Sequence, residues 1–274
     1  MKVSIIISTY NAPDWLEKTL WGYEYQSTSD FEIIIADDGS GEETAWLIER
    51  FRLSSKLKLR HVRHADNGFR KWKIVNRAII EASGDYLIFT DGDCIPHPDL
   101  VATHMQLAEE GRYLSGGYLK LPMETSRSVG EEDIRSGRAF TPRWLRCHGF
   151  GYSIKWLKLT APGTYLAPLL NFLTPAKRTF NGNNSSCFRE DALKVNGFDE
   201  RILYGGGDRE FGYRLEHAGI LPRMIRYSTV CLHLDHARGY KSAEVRAKNL
   251  ALIEATRKSR ATWTPYGIAA KTGH

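Results

Sequence analysis

The chain of 274 residues is 42% hydrophobic and 26% charged, a composition that allows a substantial core and excludes a chain that is disordered throughout. Its formal net charge of +6 suits an anionic small molecule, an anionic membrane surface or nucleic acid, or reflects a solvated surface, but the chain lacks the run of about five or six like charges typical of a nucleic-acid tail. The four cysteines are too widely spaced for a zinc ribbon, and Cys94 beside two aspartates is either a reactive thiol or a buried small residue.

The first half of the chain alternates strand and helix patterns. Residues 3–8 form a continuous apolar run typical of a buried strand, residues 31–36 repeat the pattern, and further strands are predicted at 57–62 and 86–90. Helical patterns separate the four at 11–25, 42–51 and 71–82. Asn11 or Asp14 can cap the first helix, and Gly84 can close the third. The alternation predicts a parallel sheet with helices on both faces, in which ligands bind at the carboxyl ends of the strands.

The second half of the chain is less regular. Residues 119–178 mix basic and aromatic side chains with prolines and glycines. This mixture predicts an insertion that acts as a lid or contacts a surface, unless it is a plain packed hairpin. Further along, the sequence predicts a helix at 208–218, a short strand near 222–226 and a polar helix at 242–257.

Membrane association is expected at most as a surface contact. No stretch approaches the roughly 20 apolar residues of a membrane span, and the apolar run at 3–8 is too short for a signal peptide. The stretch 140–178 interleaves Arg, Lys, Trp and Tyr, a pattern that suits a membrane interface or a lipid-linked acceptor. We therefore expect a cytoplasmic protein, with peripheral contact at the inner face of the membrane.

Asp91-Gly92-Asp93 is the first candidate for a metal site. Two carboxylates two residues apart at the end of a strand can face one divalent cation, and such oxygen ligands suit Mg²⁺ or Mn²⁺ with a phosphate as a further ligand. Many surface turns contain the same pattern, so its position after a buried strand is what favours a metal. His233 and His236 can share that metal from a turn or helix, unless both simply face solvent.

Two segments are candidates for binding an anionic, nucleotide-like ligand. Asp37-Asp38-Gly39-Ser40 ends the second predicted strand, where a carboxylate can accept from a ribose or a pyrimidine N–H, or can cap the next helix. Residues 69–76 place several cations and an aromatic side chain at a helix start, which favours phosphate. The alternative for this second segment is an amphipathic helix with a solvated basic face.

Two further segments lie in the second half. Residues 180–186 are rich in amides and hydroxyls that can bond sugar hydroxyls, or they form an ordinary turn. In the segment 204–210, three glycines permit a close approach of ligand to backbone, and Asp208 follows them at a predicted helix start. A partly buried carboxylate there can act as a general base, and a helix N-cap is its alternative role.

Together these motifs resemble the inverting family-2 glycosyltransferases with the GT-A fold. The segments 8–11, 37–40 and 91–93 occur in the order and spacing of that family, and residues 180–236 look like the C-terminal module shared by β-1,4-galactosyltransferases and chondroitin-polymerase-like enzymes. The resemblance implies an α/β fold with a Rossmann-like, mostly parallel sheet flanked by helices. It also implies a nucleotide-sugar-binding half (1–118), an inserted lid (119–178), an acceptor-binding and catalytic half (179–240) and a helical tail (241–274).

The resemblance implies roles for individual residues. Thr9, Tyr10 and Asp38, with Asn11 beside them, frame the nucleoside. Phe69 with Arg70 or Lys71 holds the base, Lys73 the phosphates, and Asp91 the ribose, directly or through the metal. The metal ligands are Asp93, His233 and His236, and Asp208 is the catalytic base. The sugar and the acceptor contact Tyr204, Gly206 and Asn183.

The implied activity is Mn²⁺- or Mg²⁺-dependent transfer of a sugar from a nucleotide diphosphate donor, expected to be a UDP-sugar, to a glycan or lipid-linked acceptor in surface polysaccharide or lipopolysaccharide synthesis. Nucleic acid is not an expected partner. A metal-dependent phosphatase is one alternative, but it needs an aspartyl nucleophile near the first strand, and residues 8–11 supply none. A non-catalytic sugar- or nucleotide-binding module is the other, and it would not require Asp208 or the histidine pair.

Overall fold

The computed structural model describes residues 1–175, 177–236 and 242–271. Parts of the last two predicted segments, residues 237–241 and 272–274, therefore lie outside the described residues. The strands are β1 (Val3–Thr9), β2 (Phe31–Asp37), β3 (Lys58–Arg63), β4 (Tyr86–Asp91), β5 (Cys94–Pro96), β6 (Arg112–Lys120), β7 (Ser185–Phe188) and β8 (Leu221–His233). The helices are α1 (Pro13–Glu24), α2 (Glu42–Ser54), α3 (Lys71–Glu81), α4 (Leu100–Leu107), α5 (Met123–Ser128), α6 (Glu131–Arg135), α7 (Pro142–Cys147), α8 (Leu157–Thr160), α9 (Leu166–Leu173), α10 (Arg189–Lys194), α11 (Gly207–His217) and α12 (Ala243–Ser259).

One mixed sheet joins these strands, in the order β3-β2-β1-β4-β7-β6-β8-β5 within the described part of the chain. The first four strands along that order are parallel, as the alternation of strands and helices predicts. β7 is antiparallel to both β4 and β6, β8 is parallel to β6, and β5 is antiparallel to β8. The predicted α/β class with a mostly parallel sheet is confirmed, although the second half of the sheet is mixed.

Helices cover both faces of the parallel half because its central strands are apolar at almost every position. β1 and β2 are buried along their whole length, as is typical of strands between two helical layers. Ile6 joins α3 and α11 in one core cluster, while its neighbours Ile5 and Ile7 join α1 and α2 in the other. This arrangement leaves the carboxyl ends of β1 and β4 open to ligands.

The insertion forms short helices, α5 to α9, in place of a hairpin. Its first part has a core of its own, in which Val129, Phe140 and Leu145 pack against Leu232 of β8. α9 packs against the same strand, since the Asn171 amide donates to Ser228 Oγ at 2.9 Å and accepts from the Tyr227 N–H at 2.8 Å. No helix in the described residues is both long and apolar enough to cross a lipid bilayer.

Several local predictions are wrong. The short strand near 222–226 is the start of the 13-residue strand β8, so His233 lies at a strand end and not on a turn or helix. Ala12 occupies the N-cap of α1, while Asn11 accepts instead from the Gly41 N–H at 2.8 Å. Gly84 does not close α3, which ends at Glu81; a Cβ at Gly84 would lie 2.6 Å from the backbone nitrogen of Ser4.

Candidate active site

A cavity of about 760 Å³ opens at the carboxyl ends of β1 and β4. The start of α3, the loop before α11 and the end of β8 complete its walls. The residues predicted from the sequence that line it are Thr9, Tyr10, Asn11, Asp38, Phe69, Lys71, Asp91, Asp93, Asn183, Tyr204, Gly206, Asp208, His233 and His236. Arg70 and Lys73 are not among its lining residues.

Lys71 is the cation that α3 brings to the cavity. Its ammonium donates to Asp91 Oδ1, which also accepts from Ser8 Oγ at 2.8 Å. Burial lowers the pKa of Lys71, but the negative charge of Asp91 and its hydrogen bond raise it. Asp208 and Asp93 add smaller contributions in the same direction, and together these outweigh burial, so the pKa lies above its usual value. Lys73 is exposed two residues further along, on the opposite side of the helix. The predicted role of Lys73 with phosphates is therefore not favoured by its position, and Lys71 is better placed.

Asp91 is held in its charged form. Burial pushes its pKa upward, but the Lys71 ammonium and then the Ser8 hydroxyl outweigh burial, so the pKa lies below its usual value. The parallel register places Ser8 directly opposite Asp91 across β1 and β4. The sheet itself thus fixes this carboxylate at the cavity floor.

Asp93 lies beside both predicted histidine ligands. His236 Nε2 is 3.2 Å from Asp93 Oδ2, and the His233 and His236 rings stack with centroids 5.8 Å apart. His233 Nδ1 is 2.8 Å from the Leu234 carbonyl, so this nitrogen carries the proton and Nε2 is the potential ligand atom. β5 pairs with β8 in a register that sets Cys94 opposite His233, which brings these residues together.

These residues fit a divalent cation. Ligand atoms of Asp93, His233 and Cys94 lie within 4.8 Å of one another. Burial raises the pKa of Asp93, and nearby Asp91 raises it further against the opposing pull of His233 and His236, so a cation would favour its charged form. The buried Cys94 thiol has a pKa well above its usual value because of burial, and Sγ lies 3.4 Å from Asp93 Oδ1. Cys94 is thus the buried small residue of the two alternatives, and it orients Asp93.

The two aspartates after β2 have different environments. Asp38 Oδ2 accepts from the Arg70 N–H at 3.0 Å and Oδ1 lies 2.8 Å from His64 Nε2, which leaves its carboxylate at the cavity wall. Asp37 is fully buried; it contacts His61 Nε2 at 2.9 Å and accepts from the Ser40 N–H at 2.8 Å. Neither caps α2, whose N-cap is Gly41.

Asp208 lies in the first turn of α11 but not at its cap. The helix begins at Gly207, and the N-cap is Gly206 with φ of 98°, so the alternative role of Asp208 as an N-cap is not what the structure has. Asp208 Oδ2 accepts from the Gly182 N–H at 3.2 Å, and Oδ1 accepts from its neighbour's N–H, that of Arg209, at 2.9 Å. The carboxylate is held at the cavity wall by the loop that precedes β7.

Three buried polar atoms at the cavity lack a hydrogen-bond partner among the described residues: Thr9 Oγ1, Trp72 Nε1 and Asn183 Oδ1. Nearly all buried polar groups in proteins are hydrogen-bonded. All three residues line the cavity. Trp72 lies in the predicted segment 69–76 but has no individual role in the prediction; it stacks on Phe198 with centroids 4.7 Å apart, and a Cβ at Gly207 would lie 2.4 Å from its ring.

The loop from Tyr204 to Gly206 is fixed by α12, which the sequence predicted only as a polar tail. The Asn249 amide donates to the carbonyls of Tyr204 at 2.9 Å and Gly205 at 3.1 Å, and it accepts from the Leu203 N–H at 3.2 Å. The Tyr204 ring meets Phe69 edge to face with centroids 5.8 Å apart. Asn249 is a residue that the sequence analysis missed, because a lone buried amide in a polar helix gives no local signal.

Tyr118 and Lys120, at the end of β6, line the cavity near His233 and were also missed. The Tyr118 ring lies 6.0 Å from that of His233, and Lys120 Nζ pairs with Asp235 at 2.8 Å. Both residues point to the same face of β6 because side chains alternate along a strand. That alternation is the signal that could have identified them.

Comparison with known proteins identifies the family of this chain. Residues 4–153 match the model of the family described as Glycosyl transferase family 2. The chain is 29% identical to "Uncharacterized glycosyltransferase YfnE" of Bacillus subtilis (strain 168) over 92% of this chain and 70% of that protein. It is 37% identical to "Hyaluronan synthase" of Pasteurella multocida over 81% of this chain but only 24% of that protein.

Two solved structures share the fold. The mannosyltransferase PcManGT from Pyrobaculum calidifontis, in complex with GDP-Man and Mn²⁺, superposes with a TM-score of 0.62 at 19% identity over 94% of this chain and 64% of that one. S. aureus TarS 1-349 in complex with UDP-GlcNAc gives 0.61 at 16% identity over 95% of this chain and 69% of that one. These likenesses do not test the galactosyltransferase-like module, which stays a prediction, but the predicted family and the GT-A-like fold are confirmed. The chain belongs to glycosyl transferase family 2.

Proposed function

We propose that this protein transfers a sugar from a nucleoside diphosphate donor to an acceptor hydroxyl with inversion at the anomeric carbon. The observation that carries the proposal is the convergence of Asp208, the Lys71–Asp91 pair and the Asp93–His236 pair on one cavity of a family-2 chain. The two solved structures of similar fold bind GDP-Man and UDP-GlcNAc, which supports a nucleotide-sugar donor.

Asp38, Phe69 and Lys71 bind the donor in this proposal. His64 holds Oδ1 of Asp38 and the Arg70 N–H holds Oδ2, and a second lone pair of one of these oxygens accepts from the nucleoside in this proposal. Phe69 offers a ring face at the start of α3, and Lys71 adds positive charge there, which favours a diphosphate. We propose UDP as the nucleotide, with Thr9, Tyr10 and Asn11 around it.

Asp93, His233 and His236 would hold Mn²⁺ or Mg²⁺ in this proposal: ligand atoms of Asp93 and His233 lie within 4.8 Å of each other, and His236 Nε2 lies 3.2 Å from Asp93 Oδ2. Such an ion would neutralise the charge that develops on the diphosphate leaving group. The structure of similar fold that contains Mn²⁺ supports this assignment. Lys71, which pairs with Asp91, contributes positive charge to the same leaving group.

Asp208 accepts the proton of the acceptor hydroxyl as its oxygen attacks the anomeric carbon. The Gly182 and Arg209 N–H groups hold the carboxylate in place before the acceptor arrives. One in-line displacement inverts the configuration, and no covalent intermediate is needed. Asn183 and Tyr204, with the close backbone approach at Gly206, position the sugar and the acceptor.

The acceptor is a glycan or a lipid-linked glycan, and the pathway is the synthesis of a surface polysaccharide or lipopolysaccharide. The similarity to a hyaluronan synthase supports this proposal, although this chain spans only 24% of that protein. The acceptor side of the cavity carries Tyr118 and Tyr204, whose rings suit contact with the apolar face of a sugar.

A panel of UDP- and GDP-sugars, incubated with the protein, Mn²⁺ and candidate acceptors, tests the proposal by mass spectrometry. We expect release of one nucleoside diphosphate and a product one sugar heavier than the acceptor. Nucleotide binding without release would identify a binding module instead, and release of inorganic phosphate would identify a phosphatase. Either result, obtained with a donor that binds tightly, would contradict the proposed transfer.

A further inference from the structure

The outer face of the insertion exposes an unusual density of apolar side chains. Of the 18 large hydrophobic side chains exposed in the described residues, eight lie between residues 152 and 173. Isolated exposed hydrophobic residues are normal, but several on one side of a helix, as on α9, mark an interaction surface. These residues form what we call the apolar face: Tyr152, Ile154, Leu157, Tyr165, Leu166, Leu169, Phe172 and Leu173.

α9 shows how this face is built. Leu166, Leu169 and Leu173 recur at the spacing of one helical stripe, with Phe172, which is 81% exposed, beside them. The other side of the helix carries the buried Ala167 and the anchor Asn171, which bonds β8. The helix is thus held to the sheet by its small and polar side and presents its apolar side outward, the reverse of an ordinary surface helix.

The segment of sequence that carries the apolar face has charges of one sign. Residues 139–188 contain no Asp or Glu and six basic residues: Arg143, Arg146, Lys155, Lys158, Lys177 and Arg178. Because the chain has 38 basic and 32 acidic residues in total, the remainder is balanced at 32 of each, and the net charge of +6 resides in this segment. None of the six forms an ion pair within the part of the chain that the structure describes.

From these observations we propose that the apolar face docks on an anionic lipid bilayer. Exposed leucines and aromatic rings enter the boundary between headgroups and acyl chains, while the surrounding Lys and Arg side chains contact anionic headgroups. A second copy of the chain is a poorer occupant, because two such faces would bring only positive charges together. Nucleic acid would satisfy the cations but leave the leucines exposed to water.

The apolar face lies next to the cavity, which links docking on a membrane to the binding of the acceptor; this link rests on the proposed function. Lys158 Nζ donates to the Tyr118 carbonyl at 3.1 Å and lies 5.5 Å from the centre of its ring. Tyr118 also lines the cavity. A docked bilayer would therefore lie beside the acceptor side of the site, where an acceptor carried by a lipid would enter.

Vesicle flotation tests the docking without any measurement of sugar transfer. The full chain is mixed with vesicles of phosphatidylglycerol and phosphatidylcholine, or of phosphatidylcholine alone, at low and high salt. We expect flotation with the anionic vesicles, weakened by salt. The double variant Leu169→Gln/Phe172→Gln should lower the partition coefficient by about tenfold or more, because two large apolar side chains no longer enter the bilayer. Lys155→Glu with Arg143→Glu should also lower it.

Matched controls lie on α2 and just after it. Leu53→Gln removes an exposed leucine, and Lys56→Glu reverses an exposed charge, both far from the face along the chain. Neither control should change flotation, and circular dichroism should show that all variants are folded. Equal recovery of the wild type with and without anionic vesicles would overturn the proposal. So would a dimer, seen by sedimentation velocity, that Leu169→Gln/Phe172→Gln dissociates while the wild type ignores vesicles.

Discussion

The backbone N–H of Gly182 donates a hydrogen bond of 3.2 Å to Oδ2 of Asp208. The two residues are 26 positions apart, and the loop before β7 thereby orients a carboxylate on the first turn of α11. A Cβ at Gly182 would lie 3.5 Å from Asp208 Cβ, so the backbone approaches this side chain closely. The proposed base is thus held in place before any substrate binds, which reduces the reorganisation needed in the reaction.

Asp208→Asn should lower turnover by about 10²–10⁴-fold, because the amide keeps the shape of the side chain but cannot accept the proton. UDP affinity should change little, since the donor contacts lie on other residues. Steady-state kinetics and calorimetric titration of UDP measure the two quantities, with the exposed Asp30→Asn as the control. Near wild-type turnover would reject Asp208 as the base. Glu210 would not replace it, because it is buried in an ion pair with Arg214.

Removal of the metal should weaken nucleotide binding. Chelator, Asp93→Ala and His236→Ala are each expected to lower the affinity for UDP, because the diphosphate would lose the cation that these residues would hold and that would neutralise its charge. Electron paramagnetic resonance of Mn²⁺ alone gives a second measure, and both variants should bind less of it. Cys94→Ser should retain Mn²⁺, because a thiol with a raised pKa is not expected to be a ligand. Unchanged UDP affinity in all of these cases would remove the metal from the proposal.

Lys71 and Lys73 form a matched pair for testing which cation serves the donor. Lys71→Met should lower UDP affinity by about tenfold or more, because its charge lies at the cavity and also pairs with Asp91. Lys73→Met removes an equal charge from the exposed side of α3 and should have little effect. Isothermal titration of UDP and of uridine separates phosphate from nucleoside contacts. Equal losses in the two variants would contradict this assignment.

Asn249→Ala should disturb the site from a distance. It removes the partner of the Tyr204 and Gly205 carbonyls and of the Leu203 N–H, which costs about 1–3 kcal/mol of unfolding free energy for buried groups left unpaired. Turnover should fall as well, because the loop before Asp208 is less well fixed. The neighbouring, exposed Lys248→Ala is the control. Denaturant unfolding and kinetics measure both effects, and an unchanged turnover would limit Asn249 to a structural role.

The lowered pKa of Asp37 predicts that the folded protein loses stability at acid pH. Burial pushes its pKa upward, but the bonds from His61 and Ser40 outweigh burial, so the folded-state pKa lies below the unfolded value of about 3.9. A carboxyl with a lowered folded-state pKa stabilises the fold above the unfolded pKa and loses that contribution as pH falls through the folded value. Asp37→Asn should therefore destabilise the protein near pH 7 and less so toward acid. Urea unfolding across pH measures the difference, and a constant difference would contradict the cause given.

The sequence predicts the elements of this fold that local patterns specify, but not those that depend on contacts between residues far apart in the chain. β1, β2 and β4 are predicted because each is a largely apolar run, the local signal of a strand buried on both faces, whereas β3 reads Lys-Leu-Arg-His-Val-Arg with only two buried residues and follows from its place in the alternation of strands and helices. β7 is not predicted, since it reads Ser-Ser-Cys-Phe; its hydroxyls are paired by distant side chains, such as Ser186 with Tyr86 at 2.7 Å and with His104 at 2.7 Å. Periodicity cannot reveal a polar strand whose partners lie about 80 to 100 residues away.

The candidate site divides in the same way. Asp91, Asp93 and Asp208 lie at or next to the ends of regular elements, and the sequence predicts where those elements end. Trp72 contacts Phe198, and Asn249 contacts the loop at 203–205, in both cases far along the chain. The local sequence around either residue does not indicate these contacts. Lys73 shows the limit of the family pattern, because a shift of two residues on a helix moves a charge to the other side.

The pairing of β4 has a consequence for how the chain acquires its structure during synthesis. β4 joins β1 on one side, so residues 1–91 contain every strand of the parallel half. Its other side is bordered by β7, whose residues 185–188 leave the ribosome only much later. Until then, β4 presents an unpaired edge to solvent or to another nascent chain, which is the circumstance in which strands associate wrongly. A chaperone that shields this edge would be needed during the synthesis of the residues between β4 and β7.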